Sequence, residues 1–170
     1  MDTASRKIVL EAVKTAIITE LRGYEVYKAA AERATDPAAK EMFRSLAEDE
    51  KHHKDFLETN FRSLWEKGEW AMPATPENLS PLDHSEILTP AFLQRVRGGD
   101  FEMAVVAAGA ELERSAIHFY KDAATRCPDE ESAKVFRFLA EWEAGHLETL
   151  VDLERQMRDS WFAEQGFSPF

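Results

Sequence analysis

The sequence has little cysteine and no long apolar run, and each shortage excludes a class of protein. Cys127 is the only cysteine in 170 residues, so this chain can form no internal disulfide, no CxxC redox pair and no cysteine-built zinc or iron–sulfur centre. No stretch approaches the roughly 18 apolar residues of a membrane span. The charged N-terminal segment also lacks the apolar run of a signal peptide. We therefore expect a cytoplasmic protein with no membrane partner.

Positive charge is scarce as well. Lysine and arginine number 21 against 32 aspartates and glutamates, which gives a formal net charge of −11 at pH 7. Such a chain offers no basic surface to a nucleic-acid backbone, so we expect no nucleic-acid partner. A hydrophobic content of 44% favours a folded protein, and this length suits one domain with a sizeable core. We predict a single domain over residues 1–170.

Proline is rare outside one segment, and its positions predict an all-α fold. Residues 68–99 hold four of the seven prolines, which forbids one continuous helix there but allows a short one near 90–97. Asp36 and Asp100 are the predicted N-caps of the helices that follow them. The segment is long enough to cross the length of a bundle, so that the third helix starts at the opposite end. We predict two helical hairpins, 5–67 and 100–160, a crossover over 68–99 and a short aromatic tail over 161–170, with helices at about 5–35, 37–67, 100–126 and 130–160.

An internal repeat relates the two hairpins. Residues 20–57 align without a gap on residues 113–150, with 15 identities in 38 positions. A repeat of this kind predicts two hairpins of one design that pack face to face as pseudo-symmetric halves. The identical pairs include Glu20 with Glu113, Tyr27 with Tyr120, Glu50 with Glu143 and His53 with His146.

One glutamate in each helix falls on the apolar stripe. Glu50 and His53 share a helix face with the leucines around them, whereas Glu48 falls on the charged face. The other three stripe glutamates are Glu20, Glu113 and Glu143, the last in a second Glu-x-x-His pair with His146. Burying an ionised carboxylate without compensation costs more than the ~5–15 kcal/mol by which a domain is stable, so these acids need partners. Buried Glu–His ion pairs, or stripes rotated enough for the acids to reach solvent, are the alternatives to a metal site.

Charge balance favours metal. Four carboxylates and two neutral imidazoles would be neutralised by two divalent cations, whereas without metal four carboxylates would repel one another in the core. Mixed carboxylate and imidazole ligands suit iron(II) and manganese(II), accept zinc and suit calcium poorly. The order Glu-x-x-His differs from the His-Glu-x-x-His of zinc proteases. We predict a cofactor of two iron ions, with manganese or zinc as alternatives.

These six residues resemble the ligand set of the ferritin-like di-iron carboxylate proteins, in which two helices give one glutamate each and two give Glu-x-x-His. The segments "ELRGYEVYKAAAE", "FRSLAEDEKHH", "ELERSAIHFYKDAA" and "FRFLAEWEAGH" are similar to the rubrerythrin-like group, with E-x6-Y followed by LAxxExxH. The resemblance covers about residues 5–160. It implies a ferritin-like four-helix bundle with a long crossover between the second and third helices.

The resemblance also implies residue roles. Glu20 and His53 would be terminal ligands of one metal, Glu113 and His146 of the other, and Glu50 and Glu143 would bridge the two. Tyr27 and Tyr120 would hydrogen-bond the carboxylates nearby. The residues that we expect to be catalytic are Glu50, Glu143, Tyr27 and Tyr120.

Two departures from the rubrerythrin pattern bear on function. Rubrerythrins proper carry a rubredoxin domain with paired CxxC motifs, and this chain holds no such motif. They also carry a further glutamate three residues after the third-helix ligand, where this chain has Ala116. The first departure implies an external electron donor such as a separate rubredoxin. The second leaves six ligands, a set nearer to that of bacterioferritin-type ferroxidases.

Three classes of function stay open at this point. The first is an enzyme that reduces hydrogen peroxide or dioxygen at a di-iron site in defence against oxidative stress, and for it we expect a homodimer. The second is a ferroxidase or other iron-handling protein, which would need a cage or a separate container for storage. The third is a metal-free helical interaction module.

Overall fold

Four long helices make up the described part of the chain in the computed structural model. The structure describes residues 1–73, 75 and 99–164; the predicted short helix near 90–97 and most of the crossover lie outside them. None of the described helices is long and apolar enough to cross a membrane. The helices are α1 (Thr3–Arg33), α2 (Pro37–Lys67), α3 (Asp100–Arg126) and α4 (Glu130–Glu164).

The turn between α1 and α2 forms as the sequence predicts. The Asp36 side chain accepts a hydrogen bond from the Ala39 backbone N–H at 2.8 Å, and Pro37 occupies the first turn, where a missing N–H costs nothing. At its other end α2 stops at Gly68, whose φ of 77° is the left-handed conformation that glycine adopts without strain. α1 and α2 therefore form one antiparallel hairpin, and α3 and α4 form the second.

The start of α3 differs from the prediction that Asp100 caps it. Gly99 is the N-cap and Asp100 is the first helical residue. The carboxylate of Glu102 accepts hydrogen bonds from the backbone N–H of Gly99 at 3.1 Å and of Thr35 at 3.0 Å. Glu102 therefore satisfies the helix end that Asp100 was predicted to cap, and it joins that end to the α1–α2 turn.

The crossover begins at the opposite end of the bundle from this contact. The side chain of Asn60 accepts hydrogen bonds from the backbone N–H groups of Ala71 and Met72, and the Trp70 indole donates to Ser132 near the start of α4 at 3.1 Å. The chain thus leaves α2 beside the start of α4 and enters α3 beside the α1–α2 turn. The predicted long crossover is confirmed, because its two ends lie at opposite ends of the bundle.

α4 is longer than predicted and takes in the start of the expected tail. It continues to Glu164, so Trp161 and Phe162 are helical, with exposures of 42% and 38%. Their rings contact each other edge to face at 5.3 Å between centroids. The rest of the predicted tail, residues 165–170, lies outside the described part of the chain.

Two apolar layers fill the bundle, one on each side of its middle. One layer packs Tyr27, Phe43 and Leu153 near the α1–α2 turn, and the other packs Val13, Phe56 and Phe136 nearer the opposite end. Between them, each of the four described helices carries one of the stripe glutamates as a buried residue. The fold therefore encloses a layer of polar side chains between two apolar layers.

Candidate metal centre

The polar layer brings all six candidate ligands together. Each is at most 5% exposed, and their ligand atoms form two groups, each with atoms within 4.8 Å of one another. Glu50 and Glu143 belong to both groups, which is the arrangement that bridging carboxylates require. The groups are Glu20, Glu50, His53 and Glu143, and Glu50, Glu113, Glu143 and His146.

Both histidines turn the same ring nitrogen toward the carboxylates. The Nδ1 atom of His53 lies 3.2 Å from Glu20 Oε2 and 3.5 Å from Glu143 Oε1. The Nδ1 atom of His146 lies 3.1 Å from Glu143 Oε2 and 3.7 Å from Glu50 Oε1. The two Glu-x-x-His pairs thus present equivalent donor atoms to the interior, as the repeat predicts.

The two tyrosines tie each hairpin to the other. The Tyr27 hydroxyl on α1 donates to Glu113 on α3, and the Tyr120 hydroxyl on α3 donates to Glu20 on α1. Both rings are fully buried. Burial and the nearby carboxylates raise the pKa of each phenol well above its ordinary value, so both stay protonated and act as hydrogen-bond donors.

The buried charges set the protonation of the cluster. Burial, and after it the charge of Glu143, raises the pKa of Glu50 and of Glu113 well above the ordinary value. Burial opposes the ionisation of Glu143 too, but the adjacent imidazoles of His146 and His53 lower the pKa of this carboxyl. Among these side chains alone, Glu143 is thus the carboxyl that the imidazoles keep ionised.

The two imidazoles behave as counter-charges. Burial disfavours their protonated forms, but carboxylates on several sides outweigh it, and the pKa of His53 rises to about 9. The pKa of His146 is raised well above its ordinary value by the nearby carboxylates of Asp49, Glu143 and Glu50, against the opposing effect of burial. A cation that binds Nδ1 must therefore displace a proton from each ring.

The donor set fits two divalent transition-metal ions. It supplies two imidazole nitrogens and four carboxylates, two of them shared, and those carboxylates balance the charge of two dications. The Oε1 atom of Glu143 is buried and makes no hydrogen bond of good geometry within the described residues, since the Nδ1 atom of His53 lies 3.5 Å away. A cation between the two groups would satisfy this oxygen, so the geometry suits a metal centre better than a set of closed ion pairs.

Because the imidazoles are protonated, we can predict how the stability of the metal-free protein depends on pH. The folded-state pKa of His53, about 9, exceeds the ordinary 6.5, so the stability that its proton contributes is complete below pH 6.5 and is lost as pH rises through 9. The raised pKa values of Glu50 and Glu113 act in the same sense. We expect the free energy of unfolding to fall between pH 6.5 and 9, by at most about 3 kcal/mol for His53 alone.

Urea unfolding of chelator-treated protein at pH 6.5, 7.5 and 9 measures this dependence. His53→Gln should flatten the decline, whereas the control His118→Gln alters an exposed ring and should leave the decline as it is. A stability that increases across this range would show that the imidazoles are not protonated in the folded state.

A cavity of about 110 Å³ leads from the surface between α1 and α3 to the carboxylates of the cluster. Its lining includes both Glu50 and Glu143, and Gly23 and Ala116 stand at equivalent positions of the repeat on its two walls. A larger cleft of about 640 Å³ between the same two helices touches none of the six candidate ligands. Of these two cavities, the small one is therefore the one from which a small molecule could reach the centre.

Gly23 is the residue of the cavity lining on α1 that packs against the side chain of Glu50. A Cβ atom at position 23 would lie 2.9 Å from Cδ and 3.1 Å from Oε1 of Glu50. We expect Gly23→Ala to displace that carboxylate and to weaken metal binding by about tenfold, an effect of the size seen when support around a ligand is lost. Equilibrium dialysis against cobalt(II) measures the affinity.

Gly145→Ala is the matched control for this substitution. Gly145 is also helical, but a Cβ there would meet nothing within 4 Å, so alanine should stabilise the helix by about 0.5–1 kcal/mol and leave metal affinity unchanged. Equal affinities for the two variants would mean that Glu50 does not need the space that Gly23 leaves.

Sequence reasoning missed one buried acid beside the centre. Asp49 is 2% exposed, and its Oδ2 atom lies 3.2 Å from Nε2 of His146. A sequence signal was present, because Met42 and Phe56, seven residues to either side of Asp49, are both apolar. The prediction took only the stripe through Glu50 as buried, but α2 also buries the neighbouring face that carries Ser45 and Asp49.

The fold and the centre together define a ferritin-like four-helix bundle with a buried carboxylate and histidine cluster. The sequence profile of the Rubrerythrin family matches residues 11–154, and the chain belongs to that family. The resemblance drawn from the motifs is thereby confirmed.

Two solved structures share this architecture. A hypothetical protein from Pyrococcus furiosus is 25% identical, with a TM-score of 0.63 over 89% of this chain and 90% of that one. A two-domain protein from Anabaena variabilis, with DJ-1/ThiJ/PfpI-like and ferritin-like domains, is 18% identical with a TM-score of 0.63, over 86% of this chain and 39% of that one. No curated protein sequence matches the chain significantly.

Proposed function

We propose that this protein is a rubrerythrin-like di-iron enzyme that reduces hydrogen peroxide or dioxygen. The observation that carries the proposal is the pair of overlapping ligand groups, which share Glu50 and Glu143. In this assignment Glu20 and His53 hold one ion, and Glu113 and His146 hold the other. When bound, the two ions would supply one electron each and Lewis acidity toward the oxidant.

The protein's own part is to hold the carboxylates and to exclude bulk water. Tyr27 and Tyr120 donate hydrogen bonds to Glu113 and Glu20, and because these donors sit on the facing helix, they fix the terminal carboxylates across the hairpin boundary. The apolar layers on either side keep the centre buried. The 110 Å³ cavity beside Glu50 and Glu143 is large enough for a molecule of two to four atoms.

The proposal includes partners. The single cysteine provides no electron relay within this chain, so a separate donor such as a rubredoxin would return the electrons. We also propose that the protein is a cytoplasmic homodimer, because an enzyme of this kind does not need the large cage that iron storage requires.

Anaerobic mixing tests the reaction. Protein loaded with two equivalents of iron(II) is mixed with hydrogen peroxide, and the iron(II) that remains is measured with a ferrous chelator. We expect two iron(II) ions to be lost per peroxide, since H2O2 + 2 Fe2+ + 2 H+ gives 2 H2O + 2 Fe3+. If loaded protein reacts with neither peroxide nor dioxygen, the assignment as an oxidant-reducing enzyme is wrong.

Iron(II) oxidation for storage or detoxification is the second candidate, and Ala116 favours it. Ala116 lines the cavity at the position where rubrerythrins carry a further glutamate. We therefore expect a smaller preference for peroxide over dioxygen than in full rubrerythrins. Faster reaction with dioxygen, together with a large shell measured by light scattering, would assign the protein to iron handling.

A further inference from the structure

We propose that the two halves of the centre bind metal unequally, because Asp49 positions His146 for metal binding while His53 has Trp142 at the equivalent place. The inference rests on the proposed metal site. It concerns two residues that the ligand motif does not include. Positions 49 and 142 are equivalent in the repeat, as are 53 and 146, so the difference is a difference between the two halves of one design.

Asp49 acts on His146 through the ring nitrogen that faces away from the carboxylate cluster. Nε2 of His146 lies 3.2 Å from Asp49 Oδ2, while Nδ1 faces Glu143 at 3.1 Å. An imidazole that donates its Nε2–H to a carboxylate keeps the Nδ1 lone pair for a cation, and the carboxylate also makes that nitrogen more basic. Asp49 thus selects the tautomer of His146 that can bind metal.

Trp142 makes a competing contact with the same nitrogen. Its indole N–H lies 3.1 Å from His146 Nε2, but it can donate only to an unprotonated Nε2. A neutral ring in that form carries its proton on Nδ1, which would block a cation there. The Asp49 hydrogen bond and metal binding at Nδ1 therefore favour the same tautomer, and the Trp142 hydrogen bond opposes both.

His53 contacts an aromatic ring at the position where His146 contacts a carboxylate. The Trp142 ring stands edge-on to His53, with the centroids 5.8 Å apart and the planes at 90°. Nε2 of His53 is buried and has no hydrogen-bond partner within residues 1–73, 75 and 99–164. A cation on Nδ1 of His53 would force the ring proton onto this nitrogen, where no carboxylate of the described residues accepts it. We infer that the Glu113 and His146 side loads first and the Glu20 and His53 side second.

Stepwise cobalt(II) titration of metal-free protein tests the order of loading. Visible absorption reports coordination, and equilibrium dialysis reports the number of ions bound. We expect two separate steps, the first at least about tenfold tighter, since loss of such an outer hydrogen bond typically costs 10–100-fold in metal affinity. His53→Ala should keep the tight step, and His146→Ala should lose it.

Asp49→Asn tests the cause of the difference. The amide keeps the size of the side chain but removes its charge, so the first step should weaken by about 10–100-fold and merge with the second. Asp55→Asn, an exposed change on the same helix, should alter neither step, and Trp142→Phe should leave the first step tight. His53→Ala and His146→Ala keep the test valid if Asp49→Asn folds poorly.

The outcomes separate this inference from the proposed function. Two equivalents taken up in one step of equal affinity, or a tight step that survives His146→Ala, would overturn the unequal halves while leaving the metal centre in place. A protein that takes up neither cobalt(II) nor iron(II) would overturn the metal centre itself.

Discussion

Glu50→Ala and Glu143→Ala are each expected to reduce metal uptake from about two ions per chain to one or fewer. Each of these carboxylates belongs to both ligand groups, so its removal takes a ligand from both ions at once. Removal of a terminal ligand such as Glu20 takes one from a single ion. Metal analysis after equilibrium dialysis against iron(II) or manganese(II) without oxygen measures the uptake.

Glu48→Ala and Glu141→Ala are the matched controls. They lie two residues before Glu50 and Glu143 in the same helices, but their side chains are exposed. Both variants should bind as much metal as the unaltered protein. Equal losses at positions 48 and 50 would show that burial, and hence the assigned helix face, does not determine which acids bind metal.

The helices and the six clustered residues were predictable because their signal is local and repeated. An acid three residues from a histidine on an apolar stripe is visible within one helix turn, and the repeat shows the same pattern twice, at Glu50 and at Glu143. The cap at Asp36 was correct for the same reason, since an N-cap bonds a backbone group three residues away.

The predictions failed where a contact between residues distant in sequence determines the structure. Asp100 is of a residue type that favours the N-cap position, but the N-cap is Gly99. The carboxylate of Glu102 accepts the hydrogen bonds at this helix end, from Gly99 and from Thr35, which is 67 residues away from Glu102 in sequence. Asp49 reaches His146 across 97 residues, and no pattern within α2 reveals which side chain faces it. Local periodicity shows which residues are buried more readily than it shows what they contact.

The same distant contacts explain how the two hairpins are joined. Tyr27 and Tyr120 each cross from one hairpin to a glutamate of the other, and Glu102 joins the α1–α2 turn to α3. The interface between α1 and α3 is thus partly polar, and it includes candidate ligands. Metal bound to residues of both hairpins would strengthen it, because a ligand that binds only the folded state stabilises that state.

A single round of peroxide reduction, followed by arrest, is the expected behaviour of isolated iron-loaded protein. Reduction of one peroxide takes the two electrons that two iron(II) ions supply, and the only cysteine of this chain cannot build a centre that would replace them. With excess peroxide we expect about one equivalent consumed per chain. Peroxide consumption should resume when reduced rubredoxin or a small-molecule reductant is added.

Residual peroxide measured over time, with and without the reductant, tests this arrest. Metal-free protein and Glu50→Ala, mixed under the same conditions, show how much peroxide is lost without an intact centre. Sustained consumption by loaded protein without any reductant would contradict electron supply from outside, because such turnover must take its electrons from peroxide itself. In that case the reaction would be disproportionation of peroxide to water and dioxygen, and the release of dioxygen would reveal it.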